Sequence, residues 1–168
     1  LLGLTLVFEP KEAGLMARPP REPAQPILTP RLIVRIVLVS LIMMAGGFGL
    51  FEWEDLRGTP LPEARTVVVN VVVMVEAFYL LNCRSLTRPF LSLGVFSNPW
   101  VVGGVAVMMA AQLAFTYLPF MNRLFHSAPI DALVWLKIVG VGLFVFLAVE
   151  LKKWVDARRR AMAKDATR

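Results

Sequence analysis

Four stretches of this chain are apolar almost without interruption: about Leu32–Phe51, Thr66–Cys83, Trp100–Phe120 and Leu133–Leu151. Each approaches the roughly 20 apolar residues that a membrane-crossing helix needs. Such runs also occur as buried helices of large soluble proteins, but four in 168 residues leave little polar sequence to enclose them. The leading Leu1–Phe8 is too short to span and reads as the last two turns of a truncated helix. Trp53, Trp100, Trp135 and Trp154 each fall within a few residues of a predicted helix end, where an interfacial aromatic belt would lie. Ser97-Asn98-Pro99 offers an N-cap with proline in the first turn of the third helix, and Asp131 can cap the fourth. The expected fold class is therefore all-α, a transmembrane bundle of four full spans preceded by the end of another helix.

Composition agrees. Hydrophobic residues make up 57% and charged residues 18%, and mean hydropathy is +0.66. Soluble domains run near 45–50% apolar and about 25% charged. The balance excludes a disordered chain, a nucleic-acid-binding domain and a soluble enzyme. The single cysteine, Cys83, cannot form an internal disulfide, and the single histidine, His126, cannot build a metal cluster alone. Neither an initiator Met nor a basic n-region opens the chain, so no signal peptide is expected and the sequence reads as a piece of something longer.

The net charge of +6 is unevenly placed. One side, A, holds the first loop, the loop between the second and third spans, and the C-terminus. It carries 14 of the 18 Lys and Arg residues; the other side, B, carries Arg57, Arg65 and Arg123. Side B also holds Glu52, Glu54, Asp55, Glu63 and Asp131. The positive-inside rule makes side A cytoplasmic. Residues 1–31 are then a helix end and a Pro/Arg-rich cytoplasmic loop, 32–155 the membrane domain, and 156–168 a basic tail.

Ionisable groups within a bilayer are costly and mark function by default. Glu76 is the eleventh residue of its eighteen-residue run, near mid-membrane and too far from either end to snorkel. It must be protonated, paired with a cation or turned to a polar cavity. Asn70 and Asn82 lie about 120° around the helix from it, whereas Tyr79 shares its face. Gln112 is expected to hydrogen-bond between helices. Lys137 either snorkels to side B or neutralises a buried carboxylate. Arg35 is expected to snorkel to side A, and Glu150 to join Lys152 and Lys153 in an interfacial charge cluster. Gly46, Gly47 and Gly49 bare one face of the first helix, and Ala106, Ala110 and Ala114 form a small-residue stripe on the third, both suited to helix packing. No P-loop, HExxH, paired catalytic carboxylates or Ser/His/Asp set is present.

Several strings, in order, resemble the C-terminal membrane region of P-type cation-transporting ATPases, in the subgroup of the calcium and sodium/potassium pumps. They are Phe8-Glu9-Pro10 with Met16-Ala17-Arg18-Pro19-Pro20-Arg21; Glu76; Asn82-Cys83-Arg84-Ser85-Leu86; Phe96-Ser97-Asn98; Tyr117-Leu118-Pro119-Phe120; Trp135-Leu136-Lys137; and Glu150-Leu151-Lys152-Lys153. The similarity extends to about Asp156. It implies that the four spans are the seventh to tenth helices of a ten-helix pump. It further implies that Glu76 is a ligand of an intramembrane cation, Ca²⁺ foremost and Na⁺ or K⁺ otherwise, while Asn70, Gln112 and Lys137 are secondary polar or packing positions. Partners would be the bilayer and the pump's remaining helices and cytoplasmic domains, with no nucleic acid. ATP and Mg²⁺ would act only in the full-length pump, at an inner, plasma-type membrane. Other readings of the residues are a stand-alone membrane scaffold derived from such a pump and a proton-coupled transporter using Glu76 and Lys137 as a relay.

Overall fold

The computed structural model describes residues 2–11, 20, 26, 28–85, 89–94 and 96–165. Most of the Pro/Arg-rich loop and the last three residues of the basic tail lie outside them. Five α-helices follow a short 3₁₀ helix, Leu2–Phe8: α1 Pro30–Leu56, α2 Leu61–Cys83, α3 Pro99–Tyr117, α4 Pro119–Phe125 and α5 Ala132–Asp165. A second 3₁₀ turn, Phe90–Leu93, joins α2 to α3. Among the described residues there is no strand. Four helices are long and apolar enough to cross a membrane: α1, α2, α3 and α5.

The helix starts follow local chemistry. Thr29 caps α1 through its side chain with Pro30 in the first turn, and Asn98 Oδ1 accepts from the N–H groups of Trp100 and Val101 ahead of α3. Asp131 directly precedes α5, where its carbonyl accepts from Trp135 N–H.

Beyond α1 running on to Leu56 and α2 starting at Leu61, three boundaries differ from the sequence expectation. Residues 2–8 form a 3₁₀ rather than an α-helix, a common state for a helix end, where each N–H bonds to the third carbonyl back. Thr5 Oγ1 also donates to Leu2 O at 2.7 Å. The third span stops at Tyr117 because Pro119 forces Leu118 into an extended conformation (ψ 125°), and the chain restarts as the short α4. The fourth span does not end at Leu151. It continues as helix to Asp165, since nothing from Lys152 onward breaks it.

α2 is the central helix: half of its span is buried, against 17% for α1 and for α3. Val67, Val71, Met74 and Val75 of α2 form the core with Val39 of α1 and Val134, Ile138, Val145 and Val149 of α5. Two glycines permit this closeness. A Cβ at Gly46 would lie 2.5 Å from Val141 Cγ1, and one at Gly142 would lie 2.5 Å from the Phe78 ring. The glycine-bearing face of α1 thus finds one partner, α5, inside this chain. α3 is more peripheral, packing on the N-terminal 3₁₀ helix through Leu2 and Val101. Ala106 and Ala110 are exposed, so the expected alanine seam is not a helix contact within this bundle.

Candidate functional site

α2 buries one flank against α1 and α5 and leaves a strip of its opposite face open. Val69 and Glu76 are exposed there, with Val72 and Val73 half-buried alongside. About 10 Å of helix separates Glu76 from Cys83 at about 1.5 Å per residue. The helix starts at Leu61 rather than Thr66, which sets Glu76 nearer side A than mid-helix. The distance is still too long for a glutamate to snorkel. Among the described residues Glu76 has no hydrogen-bond or ion-pair partner. Tyr79, expected on its face, instead leans half-buried onto the core.

Lys137 does neutralise a carboxylate, but that of Glu54. Its Nζ donates to Glu54 Oε1 at 2.7 Å, Thr59 Oγ1 donates to Oε2 at 3.1 Å, and the ammonium lies 5.5 Å from the Trp53 ring centroid. The Glu54 side chain is only 5% exposed. The expectation of a Glu76–Lys137 relay fails on this geometry: the lysine ties the end of α1 to the start of α5 on side B.

Asn70 is buried and bridges helices. Its Nδ2 donates to Thr66 O at 2.9 Å and to Thr116 Oγ1 of α3 at 3.1 Å, and Thr116 donates in turn to Gln112 O. Gln112 is buried too, yet its Nε2 has no partner among the described residues. The interhelical bond expected of Gln112 is made instead by the Asn70–Thr116 pair one turn away.

Two polar clusters form on side A, the first unrecognised in the sequence and the second expected there in part. In the first, Arg84 at the end of α2 grips Glu9 with Nε and Nη2 at 3.0 and 2.8 Å, donates Nη1 to Gly94 O, and donates to Ser97 Oγ. Asn98 Nδ2 donates to Glu9 Oε2 at 2.8 Å. The chain after the first 3₁₀ helix, the end of α2 and the start of α3 are thereby knotted together. In the second, Glu150 of α5 accepts from Lys153 Nζ at 2.7 Å, Asn82 Nδ2 at 2.8 Å and Phe90 N–H at 3.0 Å. The expected pairing of Glu150 with Lys153 is present, but Lys153 is 2% exposed, so the interfacial charge cluster is a largely buried latch. Lys152 pairs separately with Asp156 at 3.4 Å. Arg35 is likewise buried rather than snorkelled. The signal was available: the strings Phe8-Glu9-Pro10, Asn82–Ser85, Ser97-Asn98 and Glu150–Lys153 supply these contacts.

Among the described residues no three of His, Cys, Asp or Glu converge as a metal centre. Ca²⁺ takes six to eight oxygens, so Glu76 can contribute to a cation site but cannot constitute one.

Four helices long and apolar enough to cross a membrane thus leave Glu76 on the exposed face of α2, without a partner among the described residues. The chain belongs to the family described as "Cation transporting ATPase, C-terminus", which matches residues 1–155. It is 52% identical to the "Probable cation-transporting ATPase F" of Mycobacterium tuberculosis over 148 residues, 88% of this chain and 16% of that protein. It is 38% identical to the "Cation-transporting ATPase pma1" of Synechocystis over 140 residues, 80% of this chain and 16% of that protein. Identity to the mouse "Calcium-transporting ATPase type 2C member 2" is 30% over 160 residues, 94% of this chain and 17% of that protein. The chain thus spans about a sixth of the length of these relatives and matches their C-terminal part.

Proposed function

We propose that this domain braces the transport helices of a cation pump and presents Glu76 to an intramembrane cation whose other ligands come from helices outside this chain. One observation carries the reading: an acidic side chain inside α2 stands exposed and unpartnered. Left against lipid, it would have to be neutralised at a cost of a few kcal/mol. Covered by further helices with a cation between, it needs no such neutralisation. Ca²⁺ is the first candidate, because relatives bear calcium-transporting names and a carboxylate is a hard oxygen ligand; Na⁺ and K⁺ follow. ATP hydrolysis belongs to the complete pump, since this chain carries no phosphate-binding or phosphorylation motif. The membrane is an inner, plasma-type membrane with the C-terminus cytoplasmic.

The test is Glu76→Gln in the full-length pump, reconstituted and assayed for cation-dependent ATPase activity against Ca²⁺ and against Na⁺. Gln keeps shape and removes charge, so the half-saturating concentration of the transported ion should rise about tenfold or more, the size of effect seen when support for a bound metal is lost. Expression and insertion should hardly change. Unchanged half-saturation for every activating ion would make Glu76 structural.

A further inference from the structure

On the exposed side of α5, Phe144 (at the edge of a groove shared with Leu41 and Ala45 of α1), Leu147, Leu151 and Trp154 recur at steps of three and four and are 61, 54, 61 and 48% exposed. Arg158 is the next position of that stripe, itself exposed, and its guanidinium lies 3.9 Å from the Trp154 ring centroid. Because α5 runs unbroken to Asp165, Arg158 is held by helix directly above this apolar strip. Trp marks the level of the membrane interface. Arg158, four residues on, stands about 6 Å beyond it, within the headgroup layer.

We propose that this stripe is a binding site for one anionic phospholipid. Its acyl chains lie along Phe144, Leu147 and Leu151, and its phosphate meets the Arg158 guanidinium, with Arg159 adding positive charge. The planar fork of arginine matches phosphate oxygens, and its stacking on Trp154 fixes the orientation before a lipid arrives. A second copy of the chain fits less well. A symmetric pair in one membrane would bring the same patch together and set Arg158 against its mate.

The experiment uses the 168-residue chain in phosphatidylcholine vesicles carrying a minor fraction of tail-brominated phosphatidylglycerol or tail-brominated phosphatidylcholine. Bromine quenches nearby tryptophan, and subtracting the Trp154→Phe signal isolates Trp154 from the other three indoles. Brominated phosphatidylglycerol should quench Trp154 with about a fivefold preference over the zwitterionic lipid, the scale one basic residue supplies near an anionic headgroup. Arg158→Gln should bring the two lipids to parity, Arg158→Lys should keep most of the preference, and high salt should reduce it. Excess water-soluble glycerol phosphate should displace nothing. Parity in the unaltered chain, a preference that survives Arg158→Gln, displacement by glycerol phosphate, or no quenching by either lipid because protein covers the face would each overturn the proposal. Arg158 lies outside the packed core, and the salt series on the unaltered chain tests the same interaction should a variant misfold.

Discussion

At the scale of single residues, polar atoms in this bundle divide into those that are paired and those that are not. Lys137 and Glu54 form the pair whose disruption is simplest to read. Replacing Lys137 by Met strands a carboxylate that is almost wholly buried, whereas Glu54→Gln with Lys137→Met removes both charges. Breaking a buried pair costs about 3–5 kcal/mol. Because Lys137 is 31% exposed, solvent screening reduces that figure, and we expect about 1–2 kcal/mol for Lys137→Met. Much of the loss should be recovered in the double variant, as measured by thermal unfolding in detergent. A double variant less stable than Lys137→Met would mean that the pair does not stabilise the bundle. Glu76 is the opposite case, since among the described residues it has no partner to lose, and Glu76→Gln in this chain alone should be neutral or slightly stabilising. Its exceptional position was legible in the sequence because an ionisable residue within an apolar run is visible without coordinates. The partner of Lys137 was not legible: Glu54 lies 83 positions away, and its place just past an apolar run resembles any loop charge.

At the scale of the elements, two kinds of contact set the arrangement. Close approach through glycine draws α5 onto α2 and α1, and the side-A polar clusters fix the helix ends. The first predicts a contrast between glycines. Gly142→Ala pushes a methyl into the Phe78 ring and Met74 Cγ, 2.5 and 3.0 Å away, while a methyl at Gly49 meets nothing within 4 Å. Overpacking costs about 1–3 kcal/mol, and replacing glycine by alanine in a helix favours it by up to about 1 kcal/mol. Gly142→Ala should therefore lower the unfolding temperature and Gly49→Ala should hold or raise it; the reverse order would contradict the packing. The second predicts that Arg84→Met and Glu9→Gln each loosen the side-A knot and that their combined cost is smaller than the sum, since both remove the same bond. Proteolysis after the first 3₁₀ helix would report it. The number and order of the spans were legible because each span exceeds what a soluble core helix needs. Two ends were misplaced for local reasons: Pro119 cuts the third span within an apolar run, and the basic stretch after Leu151 remains good helix former despite its polarity.

At the scale of the whole molecule, the charge asymmetry and the open faces bear on how the bundle sits in a membrane. By sequence, 14 of the 18 Lys and Arg fall on side A, and two are structural there: Arg84 and Lys153 are buried in the clusters that knot the helix ends. The arginines of α5 extend the same side outward as helix. Side B carries the α1–α2 turn at Arg57–Gly58, beside the buried Glu54–Lys137 pair. With four spans an even number of crossings returns the chain to its starting side, so both ends must share a compartment. A reporter fused after Arg168 should accordingly report the cytoplasm, and one inserted at Gly58 the opposite compartment. Gly58 suits insertion because it has positive φ and open space around it. Reversing the asymmetry tests the cause: moving basic residues from the α5 extension into the Gly58 turn should produce a mixed orientation, while neutral insertions of the same length should not. A C-terminal reporter found outside, together with one at Gly58 also outside, would require an even number of crossings between them. The four-span bundle could not then stand, because α2, α3 and α5 supply three crossings between Gly58 and Arg168 and place the two reporters on opposite sides.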